Sequence, residues 1–170
     1  LVRRLIGVAG PPGAGKSTYA AALVAAADEP AVVVPMDGFH LADRVLRSLG
    51  LLDRKGAPET FDAWGYAALL RRLRSSGSPG TVYAPAFERE LEQPLAGAIA
   101  VPPSVTLVVA EGNYLLLDRP EWRAVAAELD EVRYLDLDDD VRRSRLVARH
   151  IRFGKSASDA AAWVERVDEP

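Results

Sequence analysis

One stretch constrains this chain more than any other: Gly10-Pro-Pro-Gly-Ala-Gly-Lys-Ser-Thr18, directly after the apolar run Leu5-Ile-Gly-Val-Ala9. It fits G-x-x-x-x-G-K-[ST], with Gly10, Gly15, Lys16 and Ser17 in the required places. Glycines let the backbone bend so that successive N–H groups face inward and make a nest for phosphate oxygens. A helix starting near Lys16 adds its positive end. Lys16 supplies a mobile charge for β- and γ-phosphates, and the Ser17 hydroxyl suits Mg²⁺. Gly10, Pro11, Pro12, Gly13, Ala14, Gly15, Lys16, Ser17 and Thr18 are therefore the expected nucleotide-binding set, with Thr18 as a capping or packing residue. A buried strand, this loop and an Ala-rich helix in sequence imply a nucleotide site in an α/β fold.

The rest of the chain continues that pattern. Ala31–Met36, Val105–Ala110 and Val132–Leu137 read as further core strands, each made mostly of apolar residues. Helices are expected over Tyr19–Ala27, Leu41–Leu49 with Gly50 as the stop, Asp62 (as N-cap) to about Arg74, Pro120–Leu129, Asp138 to about Arg152, and Ala157–Val167. Leu51–Thr60 is a loop and Ser75–Gly80 a flexible connector. Thr81–Phe87 reads as an extended edge segment with Ala98–Val101 as its partner, since Pro85 lacks an N–H. Strands alternating with helices predict a parallel sheet sandwiched by helices, with a small hairpin beside it.

Composition bounds the function. With 170 residues, 49% hydrophobic and 26% charged, the chain is long enough for one substantial core. A net charge of −3 argues against a general nucleic-acid binder. There are no cysteines, so disulfides, thiol catalysis and Cys-ligated zinc are excluded, which suits a reducing cytoplasm. No apolar run approaches the ~18 residues of a membrane helix. The two histidines, His40 and His150, have no zinc-ligand spacing. Trp64, Trp122 and Trp163 fall on expected helices and read as core.

Ligands of open α/β sheets bind outside the carboxyl ends of the strands. Asp37 follows the second strand, where a carboxylate can orient an acceptor hydroxyl and take its proton; capping the Leu41 helix is its alternative. Glu111 ends the third strand, where a carboxylate can hold Mg²⁺ or its water; a plain charged strand end is the alternative. Arg142, Arg145, Arg149 and Arg152 share one helix face. Arg145 and Arg149 are the favoured candidates for neutralising a transferring phosphoryl group, against a solvated charged face. His40 stands either against substrate or as a packed or capping residue. Lys155, in Gly154-Lys-Ser156, lacks the upstream glycine of a second phosphate loop and reads as surface.

The ordered set Gly10–Thr18, Met-Asp-Gly-Phe-His40, Arg-Lys-Gly-Ala-Pro-Glu-Thr-Phe-Asp62, Val-Tyr-Ala-Pro-Ala-Phe87 and Glu-Gly-Asn-Tyr114 resembles the phosphoribulokinase/uridine kinase family. The Arg54–Asp62 stretch is similar to the bacterial type I pantothenate kinase branch. The resemblance implies a P-loop kinase using ATP and Mg²⁺ on a small-molecule hydroxyl acceptor: a nucleoside, a sugar or a pantothenate-like compound. It implies Asp37 as catalytic base, Asp62 as an acceptor-binding carboxylate, Glu111 near metal and acceptor, and Arg145 and Arg149 in a lid helix. Phe87 falls where uridine kinases contact the base. Those kinases have a Tyr-Asp pair and a downstream His, whereas this chain reads Phe87-Glu-Arg-Glu-Leu-Glu92, so a pyrimidine need not be the acceptor. Relatives run on past the equivalent of Asp168–Pro170 and this chain opens on Leu1 rather than Met. The expectation is one kinase domain over residues 1–170, with truncation and homodimerisation left open. The competing class is a nucleotide-gated switch that hydrolyses slowly without an alcohol acceptor.

Overall fold

A computed structural model describes residues 3–75, 80–152, 154 and 156–165. Most of the Ser75–Gly80 connector, Lys155, and the Arg166–Val167 end of the last expected helix lie outside the described residues. The chain runs β1 (Arg4–Ala9), α1 (Lys16–Ala25), β2 (Ala31–Pro35), a 3-10 turn (Met36–Phe39), α2 (Asp43–Leu49), α3 (Ala63–Arg74), β3 (Val82–Glu88), β4 (Gln93–Val101), β5 (Leu107–Gly112), α4 (Pro120–Ala126), β6 (Glu131–Tyr134), α5 (Asp139–Arg152) and α6 (Ala157–Trp163).

Four parallel strands form the central sheet in the order β2-β5-β1-β6, and β3 pairs antiparallel with β4 in a separate hairpin. The expected parallel sheet, flanking helices and hairpin are all present. The sheet needs apolar residues on both faces because helices cover both. On one face Ile6, Val8, Leu107 and Val109 pack with Ala20, Tyr19 and Leu23 of α1. On the other, Leu5, Val34, Val108 and Ala110 meet Tyr66, Leu70 and Leu73 of α3 and Trp122 and Val125 of α4. Asp62 caps α3, its Oδ1 accepting the Gly65 N–H at 2.8 Å.

Several sequence expectations need correction. Trp64 is 60% exposed, because it lies on the side of α3 opposite Tyr66, Ala67 and Leu70; Trp122 is fully buried as expected. The strand expected over Val132–Leu137 is Glu131–Tyr134 and lies at the sheet edge, so it is half-exposed rather than core. The return strand of the hairpin begins at Gln93, not Ala98, because the antiparallel ladder continues past the irregularity at Ala84–Ala86 and pairs Leu95, Pro94 and Gln93 with Ala86, Phe87 and Glu88. Thr18 is exposed rather than packed, and Gly15 takes the N-cap position of α1.

Register explains why the site forms where it does. β5 is the centre of a three-strand row in which Glu111 is paired with Val8 of β1 on one side and Pro35 of β2 on the other. The loop after β1, the turn after β2 and the end of β5 are thereby brought level. The hairpin is laid against the second of these. A methyl group on Gly38 would collide with the Pro85 carbonyl oxygen and approach Ala86 Cα at 3.2 Å, so only glycine admits this contact beside Asp37. Gly38→Ala is expected to cost about 1–3 kcal/mol of stability in urea denaturation. Gly80→Ala, where an added methyl meets nothing within 4 Å, should stay within about 0.5 kcal/mol of the parent.

Candidate active site

The loop between β1 and α1 is shaped by left-handed glycines: Gly13 has φ 83° and Gly15 φ 91°. Gly13 also allows α5 to press on the loop, since a methyl there would meet Leu146 Cγ at 2.9 Å and the Arg142 carbonyl at 3.1 Å. Lys16 is buried, and its Nζ donates to the Pro11 carbonyl at 2.9 Å, so the lysine is folded back over the loop. Burial lowers its pKa to about 8, against the raising effect of the Glu111 and Asp37 charges. Next to it, the Ser17 hydroxyl donates to Glu111 Oε1 at 3.2 Å. Burial and the neighbouring Asp37 charge push the Glu111 carboxyl above its ordinary range, while Lys16 and Ser17 oppose that shift. A hydroxyl and a carboxylate oxygen side by side are hard donors of the kind Mg²⁺ takes.

Asp37 lies in the 3-10 turn after β2, its side chain 36% exposed, and Arg89 Nη2 approaches its Oδ2 at 3.5 Å. His40 Nδ1 lies 2.8 Å from the Asp37 carbonyl. A carbonyl can only accept, so the proton is on Nδ1 and Nε2 is left as an acceptor. The His40 ring packs at a tilt between Phe61, with ring centroids 4.1 Å apart, and Phe87 at 4.7 Å, and burial lowers its pKa. His40 is thus a packed residue that steadies the Asp37 turn. The backbone of the Arg54–Asp62 loop is stitched to the same turn by Leu41 N–H to Thr60 O and Asp62 N–H to Phe39 O, both at 2.8 Å.

Lys16, Ser17, Glu111, Asp37, His40 and Phe87 therefore come together at the carboxyl edge of the sheet. The arginines of α5 divide. Arg142 is buried and paired with Asp139 at 3.1 Å. Arg145 reaches the loop, its Nη1 lying 3.9 Å from where a methyl on Gly15 would stand, and the Arg149 charge is felt at Lys16. Asp62 is exposed and engaged in capping α3. Three residues had no role assigned from the sequence. Lys55 bonds Asp43 Oδ1 at 2.6 Å and lies over the Phe87 ring, Tyr114 Oη donates to the Gly56 carbonyl at 2.8 Å, and Arg89 pairs with Asp37. Lys55 and Tyr114 fall within the family motifs, but a lone cation or hydroxyl in a loop has no periodicity that announces its partner.

The family model for the phosphoribulokinase/uridine kinase family matches residues 5–168. The chain belongs to that family. It is 36% identical over 178 residues to a candidate uridine kinase of Schizosaccharomyces pombe, an alignment covering 98% of this chain and 74% of that protein. It is 35% identical to the uncharacterized Escherichia coli K12 protein YggC, over 99% of this chain and 70% of that one. The crystal structure of a candidate fructose transport system kinase from Silicibacter sp. TM1040 superposes with a TM-score of 0.91 at 41% identity, covering 98% of this chain and 81% of that chain. The fold and kinase type are those of a P-loop kinase, and family membership supports phosphotransfer with ATP.

Lys16 yields a pH prediction. Triphosphate favours the charged lysine, so ATP binding should take up a proton above about pH 8, where the free side chain is losing one. Affinity for MgATP should then fall as pH rises from about 8 toward about 10, by up to about ten-fold per unit. Titration calorimetry at several pH values reads this, and Lys16→Met should bind more weakly and lose that dependence.

Proposed function

We propose that this protein transfers the γ-phosphoryl group of ATP to a hydroxyl of a small metabolite, with Asp37 as the base. The observation that carries the reading is the row of strand ends: Lys16 and Ser17 after β1, Glu111 on β5 and Asp37 after β2, with Ser17 and Glu111 in contact and Asp37 close enough to raise the Glu111 pKa.

Each residue then has a task. Backbone N–H groups of Gly13–Ser17 and the start of α1 hold the phosphates. Lys16 swings from the Pro11 carbonyl to the terminal phosphates. Ser17 and Glu111 would hold Mg²⁺, which when bound would neutralise phosphate charge. Asp37 aligns the acceptor oxygen and accepts its proton as the new P–O bond forms and the bond to ADP breaks. Arg145 and Arg149 on α5 spread over the transferring group and help exclude water. Phe87, His40 and Phe61 wall the acceptor side, and Asp62 reaches the acceptor only if it leaves its cap.

Lys16→Ala and Asp37→Asn should each reduce acceptor-dependent ADP formation by at least about 10³-fold, within the range for catalytic groups of this kind. Asp37→Asn should still bind ATP. The assay compares ADP release with and without a panel of nucleosides, sugars and pantothenate. Turnover by Asp37→Asn at the parent rate would remove Asp37 from the mechanism, and ADP release indifferent to every alcohol would favour a nucleotide switch.

A further inference from the structure

The two cations beside the Phe87 ring are not equivalent. Lys55 is held by Asp43 and by the Glu92 carbonyl, neither of which is a reacting group. Arg89 is held by Asp37, the carboxylate assigned above to the acceptor hydroxyl. Its guanidinium lies 5.8 Å from the Phe87 ring centroid, an aromatic support that does not depend on Asp37. The Arg89 charge is also felt at Glu111 and at His40, which puts it at the reacting end of the cleft rather than on the outer face of the hairpin.

The Asp37–Arg89 pair is easily exchanged. The side chains are 36% and 44% exposed, and at 3.5 Å the contact is long for a charged hydrogen bond. A pair this exposed to solvent adds little stability. An acceptor hydroxyl that bonds to Asp37 competes for the carboxylate that Arg89 uses. An uncharged acceptor would remove the arginine's partner and supply none. An acceptor carrying its own anion would exchange one ion pair for another and engage the guanidinium fork through two parallel bonds.

We infer that Arg89 is the specificity-determining residue of the acceptor site, and that the acceptor is a small hydroxy compound bearing a carboxylate or phosphate. The inference rests on the kinase reading above, in which Asp37 receives the hydroxyl. Arg89 thereby has two partners in the cycle: the base before the acceptor binds, and the anion of the acceptor once it has bound.

The test uses acceptors matched except for charge: glycerol with glycerate, pantothenol with pantothenate, and ribose with ribose 5-phosphate. ADP formation is measured for the parent, Arg89→Gln and Arg89→Lys. In the parent, at least one anionic member should exceed its neutral partner by at least about ten-fold in kcat/KM, the scale of one charge-assisted hydrogen bond. Arg89→Gln should shrink that ratio by at least about ten-fold, mainly through KM, and Arg89→Lys should keep part of it. Whether a carboxylate pair or the phosphate pair responds names the anion. The ratio is internal to each protein, so a general loss of folded enzyme does not mimic the effect. Acceptor-dependent turnover with no preference for the anionic member overturns the inference. So does an Arg89→Gln protein that loses activity equally on both members, as an arginine acting on the transferring phosphoryl group would. ADP formation that ignores all six compounds but answers to a neutral nucleoside overturns the inference and leaves the kinase reading standing, whereas ADP formation that ignores every alcohol of the wider panel defeats the kinase reading, and this inference falls with it.

Discussion

The site depends on one strand being hydrogen-bonded on both sides. β5 pairs with β1 and β2 at once, and the register that sets Glu111 level with Val8 and Pro35 fixes the heights at which the loop after β1 and the turn after β2 begin. Because side chains alternate along a strand, a slip of one residue would turn Glu111 to the opposite face and part it from Ser17. The register is held by burial. Leu107, Val108, Val109 and Ala110 are nearly or wholly inaccessible, so any slip would move apolar side chains out of their places in both cores.

Charge is the second constraint. Two carboxylates and a lysine share the cleft, and Lys16 and Glu111 are buried. Burial penalises each charge, so the lysine is held more weakly protonated than usual and Glu111 holds its proton more tightly than usual. Such a cleft suits a ligand that brings both signs of charge, which a metal-bound polyphosphate does. Lys16 then gains anionic oxygens and the acids gain a cation, and each shift is relieved. The same reasoning accounts for Lys16 lying on the Pro11 carbonyl: a buried ammonium needs an acceptor within reach.

The fold and the phosphate half of the site were legible in the sequence because both are written locally. Gly10–Thr18 needs only its own spacing, and continuous apolar runs mark buried parallel strands. Asp37 and Glu111 were found by the rule that ligands gather at carboxyl strand ends. The acceptor half was less legible. The contact between the hairpin and the Asp37 turn is encoded by Gly38 and Pro85, residues far apart in sequence and ordinary when taken singly. The Arg89–Asp37 and Lys55–Asp43 pairs arise from that packing, and no periodicity in the chain foretells them. Trp64 failed as a core residue for a related reason: a helical position is assigned to core or solvent by its neighbours' faces, and an aromatic side chain can stand on either.

A crystal structure with Mg²⁺ and a non-hydrolysable ATP analogue tests the central claim most directly. The account predicts a triphosphate wrapped by Gly13–Ser17, the metal against the Ser17 hydroxyl, and a terminal phosphate facing Asp37 across a gap that one hydroxyl group can span. A terminal phosphate directed away from Asp37, or an Asp37 carboxyl turned out of the cleft with the nucleotide bound, would contradict it.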